Sequence, residues 1–251
     1  TILLSECKCE AYAYGHQCCD FSDGTLVCLT PGESISMKGN NKEFPSKGWI
    51  LAFHPDLICG TPLGLNIHNY TFFSYCPEEA LHLSLREKQI ILEFLERIRQ
   101  ELERCIDRHS KKIISKYIEL LLDYCTRFYE RQFITRSEVN KKVFREFNYL
   151  LDNHFNVKVS LSTGVLSDEY CANLLHLSPA YFNDLLKYEI GKEFKEYIQF
   201  KRFEIAKGWL VNTDKTIGQI AQELGFSNSQ YFSRLFKKIT GCSPNEFRMP
   251  N

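Results

Sequence analysis

The chain has 251 residues, 44% of them apolar, and its 31 basic side chains balance 31 acidic ones. No apolar run approaches the roughly 20 residues that span a bilayer, and the N-terminus has no signal-peptide pattern, so a membrane-spanning helix is excluded and a cytoplasmic protein is expected. The zero balance gives no whole-chain support for nucleic-acid binding, which would have to rest on how charge is distributed.

Residues 1–77 are short apolar runs broken by turn residues. Glu10–Tyr14, Gln17–Asp20, Thr25–Leu29 and Trp49–Phe53 read as strands. Gly15-His16, Ser22-Asp-Gly24, Pro31-Gly32 and Lys38–Asn41 separate them. Short strands at this spacing predict a small barrel or sandwich.

Eleven cysteines are many for this length, and Cys7, Cys9, Cys18, Cys19 and Cys28 crowd the strand region. Their spacings are not those of a zinc-ligand pair, and neighbouring strand positions face opposite ways, so buried free thiols are the expectation. His16, His54 and His68 do not form a paired-histidine-plus-carboxylate pattern, and His109 reads as a turn or cap residue. No nucleophile elbow, phosphate loop or HExxH motif is present. Hence no catalytic residue, no metal site and no cofactor is expected.

Residues 78–152 read as a helical connector. Ser84-Leu-Arg-Glu87 is a capping box. Ile91, Leu95, Ile98, Leu102 and Cys105 then repeat at alternating spacings of about 4 and 3, a coiled-coil-like seam. Ile114, Ile118, Leu121, Cys125 and Phe128 repeat the rhythm. Either the two helices bury both seams against each other, or Ile91, Leu95, Ile98 and Leu102 join two copies in a homodimer. Asp152–Asn156 through Ser162-Thr-Gly164 reads as a linker.

The last third says one thing twice. Ala172-Asn-Leu-Leu-His176-Leu-Ser178 matches Ala221-Gln-Glu-Leu-Gly225-Phe-Ser227, and Tyr181-Phe-Asn-Asp-Leu-Leu-Lys187 matches Tyr231-Phe-Ser-Arg-Leu-Phe-Lys237. Each copy reads as a short helix, a tight turn and a second helix, the shape whose second helix enters a DNA major groove. In the second copy Thr216–Gln219 is a capping box, Gly225 suits a left-handed helix end, and Ser227–Gln230 and Ser243–Glu246 start further helices. Phe232, Leu235, Phe236 and Ile239 share one face, while Gln230, Ser233, Arg234 and Lys237 share another. A solvated polar face is the bland account of one such helix, but duplication of caps, turn and polar positions argues against it. Charge divides likewise: acidic residues outnumber basic ones between 161 and 214, and basic ones prevail from Lys215 onward.

Leu166–Arg248 resembles the AraC/XylS family of bacterial transcription regulators, most specifically in Thr213–Ser227, Tyr231–Gly241 and Ser243–Arg248. The resemblance implies two helix-turn-helix units joined by a long helix, here about Phe194–Val211, reading successive major grooves. Position by position, it makes Ser229, Gln230, Ser233 and Arg234 base-facing in the second unit, and Ala180, Asn183 and Asp184 in the first. It makes Lys187, Lys192, Lys237 and Lys238 phosphate contacts. Asp184 departs from the family pattern, which places a basic residue there, as this chain does at Arg234. Phosphates repel a carboxylate, although it can accept from a cytosine amino group. Lys47–Leu57 resembles the end of the cupin-like sensor domain of many such regulators. Because the chain starts at Thr1 and lacks earlier barrel strands, a fragment of a longer protein is expected.

The expected architecture is α+β: a partial cupin-like β domain over 1–77, a helical dimerisation region over 78–152, and an all-α double helix-turn-helix over 153–251. The expected function is sequence-specific DNA binding in transcription regulation, with duplex DNA and a second copy as partners. A small-molecule effector and RNA polymerase are candidate further partners. One rival is a cupin-type metal protein or enzyme with a helical appendage, which would need a His/carboxylate cluster among the strands. The other is a protein-interaction adaptor, separated from a DNA binder by the absence of salt-dependent duplex binding.

Overall fold

The computed structural model describes residues 1–5, 15–33, 47–156 and 166–249. The expected strand at Glu10–Tyr14, the thiols Cys7 and Cys9, and the linker beyond Asn156 lie outside them. Contacts divide the chain into two compact units, one of residues 1–140 with 176–185 and one of 141–175 with 186–251.

The first unit holds a four-stranded antiparallel sheet. Strands β1 (Ile2–Ser5), β2 (Gly24–Cys28), β3 (Gly48–Leu51) and β4 (Leu81–Leu83) lie in the order β3-β1-β2-β4. Leu4 sits opposite Leu26 on one side and Trp49 on the other, and Leu26 sits opposite Leu81. The order has two ends, so the described strands form an open sheet and not a closed barrel. Gln17–Asp20 is a turn instead of the expected strand, because the Asp20 carboxylate accepts from the Gln17 amide at 2.8 Å. Cys18 and Cys19 in that turn are exposed, against the expectation of burial, whereas Cys28 is buried.

Between β3 and β4 run short helices α1 (Pro55–Ile58) and α2 (Pro62–Asn66), each started by a proline behind a capping side chain, then 3-10 turns. Helix α3 (Leu85–Glu103) starts at the expected Ser84–Glu87 box and packs antiparallel on α4 (Ser110–Thr135). His109 is the residue before α4 and caps it without a side-chain bond. Ile91, Leu95 and Ile98 meet the seam of α4, where Ile118, Leu121 and Cys125 are buried. Leu26, Leu81 and Leu83 close the same core from the sheet.

Side chains of α4 also bind the outer backbone of β4. Gln132 accepts from the His82 amide at 2.8 Å and donates to the Ala80 carbonyl at 3.0 Å, and Arg131 donates to the His82 carbonyl at 2.7 Å.

Helix α5 (Ser137–Asn156) runs through the start of the expected linker. Phe147, Leu151 and Phe155, spaced four apart, are buried, and that apolar stripe outweighs the turn-forming Asp152-Asn153. In the second unit Phe147 meets Phe194 and Tyr197 of α8 (Phe194–Asn212), and the Tyr197 hydroxyl donates to Asn148. Helices α9 (Ile217–Glu223), α10 (Ser229–Thr240) and α11 (Pro244–Arg248) gather round Phe203, which packs on Phe226, Phe232 and Phe236. Helix α6 (Asp168–Leu174) belongs to this unit, while α7 (Pro179–Ile190) is shared, its residues through Leu185 clustering with the first unit.

Candidate nucleic-acid interface

The second repeat builds its surface from caps. The Thr216 hydroxyl accepts from the Gln219 amide and the Gln219 side chain accepts from the Thr216 amide, closing the expected box. Gly225 ends α9 at φ +74°, in the left-handed region that glycine adopts without a Cβ penalty. The next cap is Asn228, not Ser227: its side chain accepts from the Tyr231 amide at 2.7 Å. Tyr cannot return a bond as Gln would, so the capping box expected at Ser227–Gln230 is a single cap. Ser243 and Glu246 bond reciprocally at the start of α11, which holds the Glu246 carboxyl below its ordinary range.

On α10 Phe232 and Phe236 are buried, which leaves the opposite face outward. Gln230, Arg234, Lys237 and Lys238 are exposed, and Ser229 and Ser233 are half-buried. Ser229, Gln230, Ser233 and Arg234 line one shallow concavity with Ile217 and Gly218 of α9. The four second-unit base-facing candidates are therefore contiguous. Ile239, expected on the apolar face, is exposed. Tyr231 lies outside the polar stripe drawn from sequence, yet it is 52% exposed. It stands three residues before Arg234 and seven before Lys238, a spacing that was legible.

The support behind this face is also missing from the sequence motifs. Arg248 donates to the carbonyls of Leu210 and Lys215, tying α11 to the end of α8. The Lys215 ammonium lies 3.9 Å above the Trp209 ring and pairs with Glu223, so this lysine is engaged inside the domain. Arg202 is partly buried beneath Phe226, and burial lowers its pKa.

The first repeat differs at matching positions. His176 takes the left-handed conformation at φ +57°, where the second repeat has Gly225. Ala180, Asn183 and Asp184 are half-buried on α7, and Lys187 and Lys192 are exposed. Lys187 is paired with Glu193 at 3.2 Å. Asp184 accepts from the Tyr75 hydroxyl at 2.8 Å, and burial followed by this carboxylate's charge pushes the Tyr75 phenol above its ordinary value.

The dimerisation candidates fall elsewhere. Ile91, Leu95 and Ile98 are buried within the α3–α4 hairpin, while Leu102 is 54% exposed. A partner could reach the first three only by opening the hairpin, so of the four only Leu102 offers a surface as the chain stands. Among the described residues no group of three or more His, Cys, Asp or Glu is placed to hold a metal ion, and no helix is long and apolar enough to cross a membrane.

Residues 171–249 match the family described as a helix-turn-helix domain. The HTH-type transcriptional regulator YtdP of Bacillus subtilis is 33% identical over 112 residues, 45% of this chain and 14% of YtdP. The HTH-type transcriptional regulator YijO of Escherichia coli is 24% identical over 225 residues, 90% of this chain and 76% of YijO. The solved C-terminal domain of AraT, a response regulator from Geobacillus stearothermophilus, is 32% identical and covers 42% of this chain and 82% of its own, with a TM-score of 0.35. The chain spans less than half the length of the curated relatives YtdP, YesN and AdaA. With both repeats, their caps and the joining helix present, residues 171–249 are a helix-turn-helix domain of the AraC/XylS type.

Proposed function

We propose that this chain is a sequence-specific DNA-binding transcription regulator whose second repeat makes the principal base contacts. The observation that carries the reading is the contiguous set Ser229, Gln230, Ser233 and Arg234 on a capped helix, its Gln and Arg exposed and with Lys237 and Lys238 beyond it. Arg and Gln can make bidentate contacts to guanine and adenine in the major groove, and the lysines suit phosphates. Lys187, Lys192 and the α7 positions Ala180, Asn183 and Asp184 have the matching roles in the first repeat. The N-terminal unit is the effector-responsive part, its sheet the remnant of a cupin-like sensor. The regulator acts in the cytoplasm as a homodimer that answers to RNA polymerase.

Selection of bound sequences from a random duplex pool, with the full chain, tests this. One enriched motif bound with an affinity that falls steeply with salt is the expected result. An unenriched pool, or binding indifferent to salt, defeats the reading.

A further inference from the structure

The two repeats place the same residue type in opposite surroundings. Tyr181 and Tyr231 occupy matching positions on α7 and α10, and Tyr181 is 4% exposed where Tyr231 is 52% exposed. Tyr181 is enclosed within the first unit. The rings of Tyr75 and Phe133 lie 5.1 and 5.2 Å from it, and its hydroxyl is hydrogen-bonded to Arg136. The start of the same helix is held as tightly. The buried Glu79 carboxylate accepts from the Ser178 amide at 2.6 Å and from the Ser178 hydroxyl, while that hydroxyl caps the Tyr181 amide. Asn228, the matching cap of α10, is exposed, and its side chain accepts from the Tyr231 amide three residues on. Tyr75 completes the grip by donating to Asp184, the position matching Arg234.

These contacts hold the part of α7 that would have to enter a groove, where Ala180, Asn183 and Asp184 are half-buried. A recognition helix meets base edges with its N-terminal residues, and here those residues are bonded to Glu79, Tyr75 and Arg136. From this contrast we infer that the Tyr75–Glu79 segment is an autoinhibitory clasp, which holds the first recognition helix closed to DNA and must open before both repeats read one site. The inference rests on the reading of this domain as DNA-binding. It also gives Asp184 a role: a carboxylate is a poor neighbour for phosphate but a good acceptor for a buried phenol. A protein whose competent state is a minor fraction binds with an affinity reduced by that fraction, so the clasp sets how much the first repeat contributes.

The test uses the full chain as wild type, Tyr75→Phe and Glu79→Gln. Tyr75→Phe keeps the ring packing and removes only the hydroxyl, and Glu79→Gln keeps the shape and removes the charge. Amide hydrogen exchange of residues 178–185 reads the opening, and hydroxyl-radical footprinting on the selected duplex reads the grooves covered. Losing one charge-assisted hydrogen bond should raise the open fraction about tenfold. The wild type should protect one major groove. Either variant should exchange faster over 178–185, bind up to about tenfold tighter and extend protection to a second groove. Three results overturn the clasp: unchanged exchange in both variants, faster exchange with unchanged footprint and affinity, or a wild type that covers two grooves while 178–185 stay as protected as in the free protein. Failure of every protein to bind any duplex overturns the DNA-binding reading itself, and the clasp with it.

Discussion

Arg136 grips Asp20 with both arms of its guanidinium, at 2.9 Å from Nε and 2.6 Å from an Nη, in a setting where the Asp20 side chain has no exposed surface. Burial pushes the Asp20 carboxyl up, but the hydrogen bonds and charge of Arg136 outweigh it, and the net pKa lies below the ordinary 3.8. The pair therefore adds stability that is fully present above about pH 3.8 and is lost as pH falls through the lower folded value. Asp20→Asn strands a buried guanidinium, which should cost about 3–5 kcal/mol at neutral pH. Urea unfolding of both proteins from pH 7 down to pH 3 checks it, and the gap should narrow only at the acid end.

Arg234→Ala should weaken specific binding by about 1–3 kcal/mol and relax preference mainly at one base position. Lys238→Ala should weaken all duplexes alike and lower the salt slope by about one. Isotherms on the selected and a scrambled duplex at several salt concentrations separate the two.

The seam of α3 is a stability element as far as Ile98 and a surface beyond it. Leu95→Ala should cost about 2–5 kcal/mol of folding stability, as a large-to-small change in a core. Leu102→Ala should stay within about 0.5 kcal/mol. Sedimentation of Leu102→Glu adds the association test: if the wild type dimerises and this variant does so equally well, Leu102 is not at the dimer contact.

His176 bears a backbone conformation that costs a side-chain-bearing residue about 1–2 kcal/mol, partly offset by the 0.5–1 kcal/mol that glycine loses in chain entropy. His176→Gly should thus stabilise the chain by about 0.5 kcal/mol, and Gly225→Ala should destabilise it by about 1 kcal/mol. Thermal melting of the two variants reads both signs.

The parts legible from sequence were those written in local chemistry. Thr216–Gln219, Ser243–Glu246 and Ser84–Glu87 announce helix starts through bonds that span three residues. The alternation that fills the α3–α4 hairpin was equally plain. Long-range relations were not. Strand β4 is three residues long and owes its place to Leu26 and to Gln132, fifty residues away from His82. Gln17–Asp20 reads as a strand, but its aspartate turns inward to the Gln17 amide and to Arg136, 116 residues away, and the second of these bonds is not visible locally. The polar stripe of α10 could be drawn from spacing, but the burial of Tyr181 depends on Tyr75 and Phe133, which no repeat alignment contains.

The bonds from Gln132 and Arg131 to the outer backbone of β4 bear on the chain's behaviour in company. A strand at the end of a sheet offers its unused amides and carbonyls to any extended peptide, including the same strand of a neighbour. Here two helical side chains occupy those groups, so β4 is closed to edge-to-edge joining and sheet-mediated aggregation from that side. Gln132→Ala would uncover a donor and an acceptor at once, and concentrated samples of that variant are where ordered self-association should first appear.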